Sequence, residues 1–567
     1  MKFPLKKSLS WLDNNVLLVL TGFLIAFIPL YPKIPLMDAL PGYIVRIRLE
    51  DIFVLLAMVI WLIQALRKKI EWQSIIFWLI ALYALSGLLS IVSAIFLLKS
   101  VPLETLHIGK SVLHYFRYLE YFSLFVLAFS AVKSKKDVQT LVTIFAFTII
   151  AVTVYGYGQK YLYWPVYSTM NREFSKGMRL YLTEHARVQS TFAGHYDLAA
   201  FLVIALNLML AFAYKQTNKL KKIWFHLVHL VGLWLLLVTA SRTSFIAYIF
   251  GSLIILFLVA LEKKDRKSQI KWGLSRFVGF SAVILIMTIN FGGDMSERFL
   301  HILEGYPQLN DIYHTANRQR KDAWRNTLVF LGIKEYEPQK PKNGMSLAEL
   351  ERQVLTGTDQ RPVKDRPNDV YEDIPDKVKV ATKAADGSTQ YVIQEKERTW
   401  SDNALKYGLS VAIRLDTLWP NAIKGFKANP ILGKGYATLN KEGPYQFTEA
   451  ESTDNNFLRI LGETGLFGFI SFFGIVALAV YYAFKFYQID RTYTSAISIG
   501  FIGASMGLLL NAAYIDVFAA SKVAFTYWGI TGVVVGLFYL GQNKKVMKKS
   551  RLTKLVNCIR SKICHKK

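Results

Sequence analysis

Cysteine is almost missing from this sequence. The only two, Cys558 and Cys564, fall in a basic C-terminal stretch, so no disulfide can hold any earlier loop together. Charge is scarce too: 19% of the 567 residues are charged, against 53% hydrophobic and 14% aromatic. Long apolar runs with few charges recur from about residue 15 to residue 540, which a water-soluble chain could not hide. Also absent are G-x-x-x-x-G-K-[ST], G-x-G-x-x-G after a strand, H-E-x-x-H, any Cys/His cluster of metal-ligand spacing, and D-x-D. With them go the usual sequence arguments for ATP-driven work, dinucleotide chemistry, metal catalysis and metal-assisted nucleotide-sugar transfer. The motifs offer no positive sign of a cofactor or a metal.

What is present is a charge surplus in particular places. Lys plus Arg number 68 and Asp plus Glu 40, a net +28. Residues 292–454 hold 23 basic and 24 acidic residues, which leaves 45 and 16 for the rest of the chain. The surplus sits in short connections between apolar runs. That is the pattern of cytoplasmic loops at a membrane rather than of a nucleic-acid surface.

Runs long enough to cross about 30 Å of hydrocarbon fall near 15–31, 50–66, 74–98, 113–132, 138–160, 197–214, 223–240, 243–261, 276–292, 457–484, 494–514 and 523–540, twelve in all. The first is read as a retained span, not a signal peptide. Every even-numbered exit is basic, from Arg67-Lys68-Lys69 to the tail 541–567, which has ten basic residues and no acidic one. An even count with both termini cytoplasmic follows. The expected fold is an all-α integral membrane protein with nine helices in 1–292 and three in 457–540. A large extracytoplasmic loop domain at 293–456 lies between helices nine and ten, with a polar insertion at 333–398. The tail contacts anionic lipid.

The informative residues are polar groups at outer span ends. Arg187 precedes Ser190-Thr191-Phe192 and His195. Thr239-Ala-Ser241-Arg242 joins two spans. Arg414 and Trp419 precede Asn429-Pro-Ile-Leu-Gly433-Lys-Gly435. Asp454-Asn455 leads into Glu463-Thr464-Gly465-Leu-Phe-Gly468. An outer face has no need of arginine, yet Arg187, Arg242 and Arg414 stand there. Guanidinium groups converging would hold a diphosphate through paired hydrogen bonds, and Asp454 would take a proton from a hydroxyl nucleophile. Plainer roles exist. Arg187 can pair with Glu184, Arg242 can cap a helix and Arg414 can pack on Trp419. Asp454, with Asn455 and Asn456 as rivals, is an N-cap for the tenth span, and spacing alone favours that role. His226 and His229 share a helix face nearer the cytoplasmic end and read as core.

In their order around one large loop, these segments resemble the O-antigen ligase/polymerase family, over roughly residues 185–470. The resemblance implies a GT-C-type membrane glycosyltransferase that uses neither metal nor nucleotide. It would act in the inner membrane, on its outer face, on an undecaprenyl-diphosphate-linked glycan and a glycan, lipid or protein acceptor. It implies catalytic roles for Arg187, Arg414 and Asp454, and substrate binding by Arg242, Asn455, Trp419, Glu463 and His195. Many such ligases have a histidine base before the asparagine at the loop's end. Asp454 stands there instead, as is commoner in surface-polysaccharide polymerases. The competing class is a lipid-linked oligosaccharide flippase, which also suits twelve spans.

Overall fold

The computed structural model describes residues 5–40, 46–70, 74–170, 174–182, 186–296, 376–383, 389–396, 409–441, 443–445 and 452–564. It is mostly helical. Helices α1 (Leu5–Leu30), α2 (Leu49–Leu66), α3 (Ile75–Val92), α4 (Thr105–Ala131), α5 (Lys135–Tyr161), α6 (His195–Lys215), α7 (Lys219–Val238), α8 (Arg242–Ala260) and α9 (Arg266–Phe291) precede the large loop. In its later part a one-turn helix α10 (Leu409–Ile413) runs through a π turn (Arg414–Leu418) into α11 (Trp419–Ala428). Then follow α12 (Asn456–Ile489), α13 (Ala496–Ala512) and α14 (Ser521–Cys564). Two antiparallel hairpins complete the described elements: β1 (Pro35–Asp38) with β2 (Arg46–Arg48), and β3 (Asp376–Lys383) with β4 (Thr389–Lys396). Apart from the second hairpin, the polar stretch 333–398 lies outside the described residues, as does Glu184.

Eleven helices among the described residues are long and apolar enough to cross a membrane. The expected fourth span is the exception. Helix α4 runs end to end, from Ser111, whose hydroxyl donates to Tyr436 O, to the turn where Lys133 Nζ reaches Asn14 O. Its loop-side half carries Lys110, His114, Arg117 and Glu120, so its apolar signal is diluted. The reason is the cavity it lines, described below.

The basic connections gather at one end of the bundle. Asp13 pairs with Arg67 and Lys69, Lys135 with Asp490, and Lys215 with Glu262. The opposite end bears the large loop. Helix α6 is the axis: every residue from Leu198 to Ala213 is buried, as expected for a helix apolar on all sides. Helix α14 packs closely on α4 because Gly532 lets the Phe125 carbonyl approach; a Cβ there would run into it.

Helix α12, at 34 residues, would be about 51 Å long if continuous. It breaks at Gly465, whose φ 63° and ψ −165° are open almost only to glycine. The backbone groups freed by the break are taken up by the loop segment after α11. Leu466 N donates to Pro430 O (2.9 Å) and Phe467 N to Ile431 O (3.2 Å), while Lys434 N donates to Gly462 O (2.8 Å) and Gly435 N to Glu463 O (3.0 Å). The stretch beyond the break, residues 456–464, is thereby held as a short helix at the loop end. A Cβ on Gly465 would strike the Ile431 carbonyl, so Gly465→Ala is expected to cost at least about 1–3 kcal/mol. A lowered melting temperature in detergent checks this.

Candidate active site

A cavity of about 210 Å³ opens at the loop end. Among the described residues its charged lining is Lys33, Arg46, Arg48, Arg117, Arg459 and a single carboxylate, Asp197. Five segments distant in sequence supply these groups. Lys33 follows the end of α1. Arg46 and Arg48 lie two apart on β2, so both face one side of the hairpin. Arg117 comes from α4, Asp197 from the first turn of α6, and Arg459 from the short helix before Gly465.

Each cation is anchored from behind. Lys33 Nζ meets Glu50 at 2.7 Å, Arg46 Nε meets Asp38 at 2.9 Å, and Arg117 meets Asp51 at 2.7 Å and Glu120 at 2.8 Å. Arg459 meets Asp516 at 2.9 Å and Glu463 at 3.5 Å. A guanidinium has five N–H donors, so one or two carboxylate contacts leave others for a ligand. Arg48 is the least committed. Its carboxylate contact is Glu50 at 3.8 Å, and among the described residues its buried Nε has no hydrogen-bond partner. The lining is thus rich in oriented donors, the chemistry that suits a polyanion.

Beside this cavity lies a second polar cluster. Arg414, buried in the π turn, pairs with Asp454 at 2.8 Å and lies 4.0 Å above the Tyr514 ring. The Trp419 ring meets Tyr514 edge-on. Asp454 has φ 49°, a left-handed backbone that only a few non-glycine residues adopt. Burial lifts its carboxyl above the usual range, while Arg414 pulls it back down.

The two clusters are joined by hydrogen bonds. Ser452 Oγ lies 2.7 Å from Asp454 Oδ1 and 3.1 Å from Asp516 Oδ2, and Asp516 Oδ2 accepts from Arg459 at 2.9 Å. Asp516 also accepts from the backbone N–H groups of Thr453 (2.8 Å) and Asn455 (3.0 Å). It was not among the sequence-derived candidates. The available signal was that Asp516 is the only acidic residue after Asp490.

The other expected residues are distributed as follows. The cap of α12 is Asn455, whose Oδ1 accepts from Leu458 N (3.0 Å) and whose Nδ2 donates to Ala513 O (3.0 Å). Spacing pointed to Asp454 for that task, but Asp516 pins the chain one residue further on. Glu463 is buried and receives Ala437 N at 3.2 Å, which locks the glycine turn onto α12. Arg187 Nη1 lies 2.6 Å from His195 Nε2 and 3.3 Å from the Tyr196 hydroxyl. Arg242 opens α8, whose Ser244 receives Asn511 Nδ2 from the end of α13. The structure therefore brings together Arg414, Asp454 and Trp419, and separately Arg187 and His195. Arg187, Arg242 and Arg414 are not in the cavity lining. The cavity arginines 46, 48, 117 and 459 escaped the sequence reading because only folding brings them together. His229 bonds the Tyr248 hydroxyl at 2.8 Å within the core.

Residues 407–473 match the family described as O-antigen ligase. The match takes in Arg414, Trp419, Asp454, Asn455, Arg459 and Glu463. No curated protein matches the chain.

Proposed function

We propose that this chain, which is similar to O-antigen ligases over residues 407–473, is a membrane glycosyltransferase working at the loop end of its bundle. That end faces outside the cell, and the donor is a glycan on a polyprenyl diphosphate. The observation that carries the reading is the cavity with five oriented cations, one of them supplied from within the matched region. Diphosphate oxygens seated there meet Arg48, Arg117, Arg459 and Lys33. An acceptor hydroxyl attacks the anomeric carbon. A carbon–oxygen bond forms to the acceptor as the bond from that carbon to the phosphate oxygen breaks. The electron pair leaves on the diphosphate, where the cations stabilise it, and the hydroxyl proton passes to Asp454. Asp454 is tied to Arg459, a cation of the cavity, through Ser452 and Asp516, which sets the base beside the diphosphate site. Arg414 orients the base. Whether the acceptor is another repeat unit or a different carrier separates polymerase from ligase.

A flippase would need a polar path between the two ends. Further along α6 and α14, which supply Asp197 and Ser521 to the cavity, the next space among the described residues is lined by Ile25, Leu208, Met209, Ile530 and other apolar side chains with Thr526 the one polar residue, and this favours chemistry at one end. Arg48→Ala is expected to lower glycan transfer by purified protein about 100-fold or more, with protein level and monodispersity unchanged. The assay supplies lipid-linked oligosaccharide from cells lacking the protein. Transfer at the normal rate would remove the cavity from the mechanism.

A further inference from the structure

Among the described residues Asp197 is the one acidic group in the lining of a cavity otherwise charged only by cations. It stands in the first turn of α6, where an acid suits the helix dipole, but that role does not require it to face the cavity. Among the described residues no hydrogen bond or ion pair reaches its carboxylate. The cations that act on it are Lys33, Lys522 and Arg48, and two of these direct donors to other partners. Lys33 is held by Glu50 and Ser521. Lys522, 2% exposed, donates to the carbonyls of Pro29 (3.0 Å), Tyr31 (2.6 Å) and Thr191 (2.7 Å). A carboxylate so placed calls for a donor that arrives with the ligand.

A lipid diphosphate offers Asp197 only acceptor oxygens and negative charge. The sugar next to the diphosphate offers hydroxyl donors. On the reading that the cavity seats the diphosphate, we propose that Asp197 discriminates the loaded donor from the spent lipid. Its carboxylate accepts hydrogen bonds from the sugar adjoining the diphosphate and repels the bare lipid diphosphate left after transfer. The spent lipid has lost those hydroxyls and carries one more ionisable phosphate oxygen. One side chain therefore favours entry of the substrate and exit of the product.

The two halves of this role predict opposite changes. In full-length protein purified in detergent, Asp197→Ala is expected to raise the KM for lipid-linked oligosaccharide, extracted from cells lacking the protein, about 10- to 100-fold. The same substitution is expected to let undecaprenyl diphosphate inhibit at roughly three- to tenfold lower concentration. Asp197→Asn, close in shape, should keep part of the sugar contact and lose the repulsion, so it tightens undecaprenyl diphosphate even if the alanine variant folds poorly. Both ligands moving in the same direction, or neither moving, overturns the proposal. Arg48→Ala separates this from the reading beneath it. Weakening of both ligands in that variant keeps the diphosphate in the cavity. If Arg48→Ala changes neither, the cavity reading fails, and the assignment to Asp197 falls with it.

Discussion

Asp516→Ala is expected to destabilise the loop end by about 3–5 kcal/mol, because it leaves Arg459 a buried charge without its closest partner. Arg459 is 4% exposed, and Asp516 lies 2.9 Å from it. The same carboxylate receives Thr453 N, Asn455 N and the Ser452 hydroxyl. Two backbone N–H groups at the start of α12 would lose their acceptor together with the guanidinium. The measurement is thermal unfolding in detergent, and a double substitution sharpens it. Arg459→Met placed on Asp516→Ala removes the stranded charge, so the double variant should melt above the single one. If the double variant is the less stable of the two, the account of this ion pair is wrong. Transfer activity is lost in the double variant, since Arg459 lines the cavity.

Asp454→Asn is expected to reduce kcat by about 10²- to 10⁴-fold with little change in KM, the loss associated with a general base. Asparagine keeps the shape and the contact with Ser452 but cannot take a proton. In the native protein the rate should fall on the acid side as Asp454 becomes protonated. Burial raises its pKa, so that limb lies above the ordinary carboxylate range of about 3.9. Arg414 acts in the other direction and stabilises the ionised form. Arg414→Gln should therefore move the acid limb to higher pH as well as lowering the rate. A limb that stays put or moves down would show that the base is not the carboxylate paired with Arg414.

How much of this was legible depended on whether a property is local. The apolar runs were readable because crossing a bilayer requires a continuous stretch of side chains of one kind. Eleven of the twelve runs correspond to helices that meet length and hydropathy together. In the remaining one, α4, Arg117 and Glu120 serve a neighbour rather than the span. Arg414 and Asp454 stood out by residue type, and the structure places them 2.8 Å apart. The cap was misassigned because Asp454 and Asn455 are equally good by residue type. Asp516, sixty-two residues beyond Asp454 in the chain, decides between them.

The sequence by itself determined a mostly helical chain with basic connections gathered at one end, since hydropathy and charge are summed along neighbouring residues. It also marked the stretch that resembles O-antigen ligases. Only the tertiary structure decided which cations share a cavity. Lys33, Arg46, Arg48, Arg117 and Arg459 come from four separate segments, and nothing in the spacing between those segments records that they meet. The physical reason is that helix packing is set by small residues and by backbone approach, as where Gly532 admits α4. Those contacts carry the charged ends of the helices into place, and no window along the chain encodes the result.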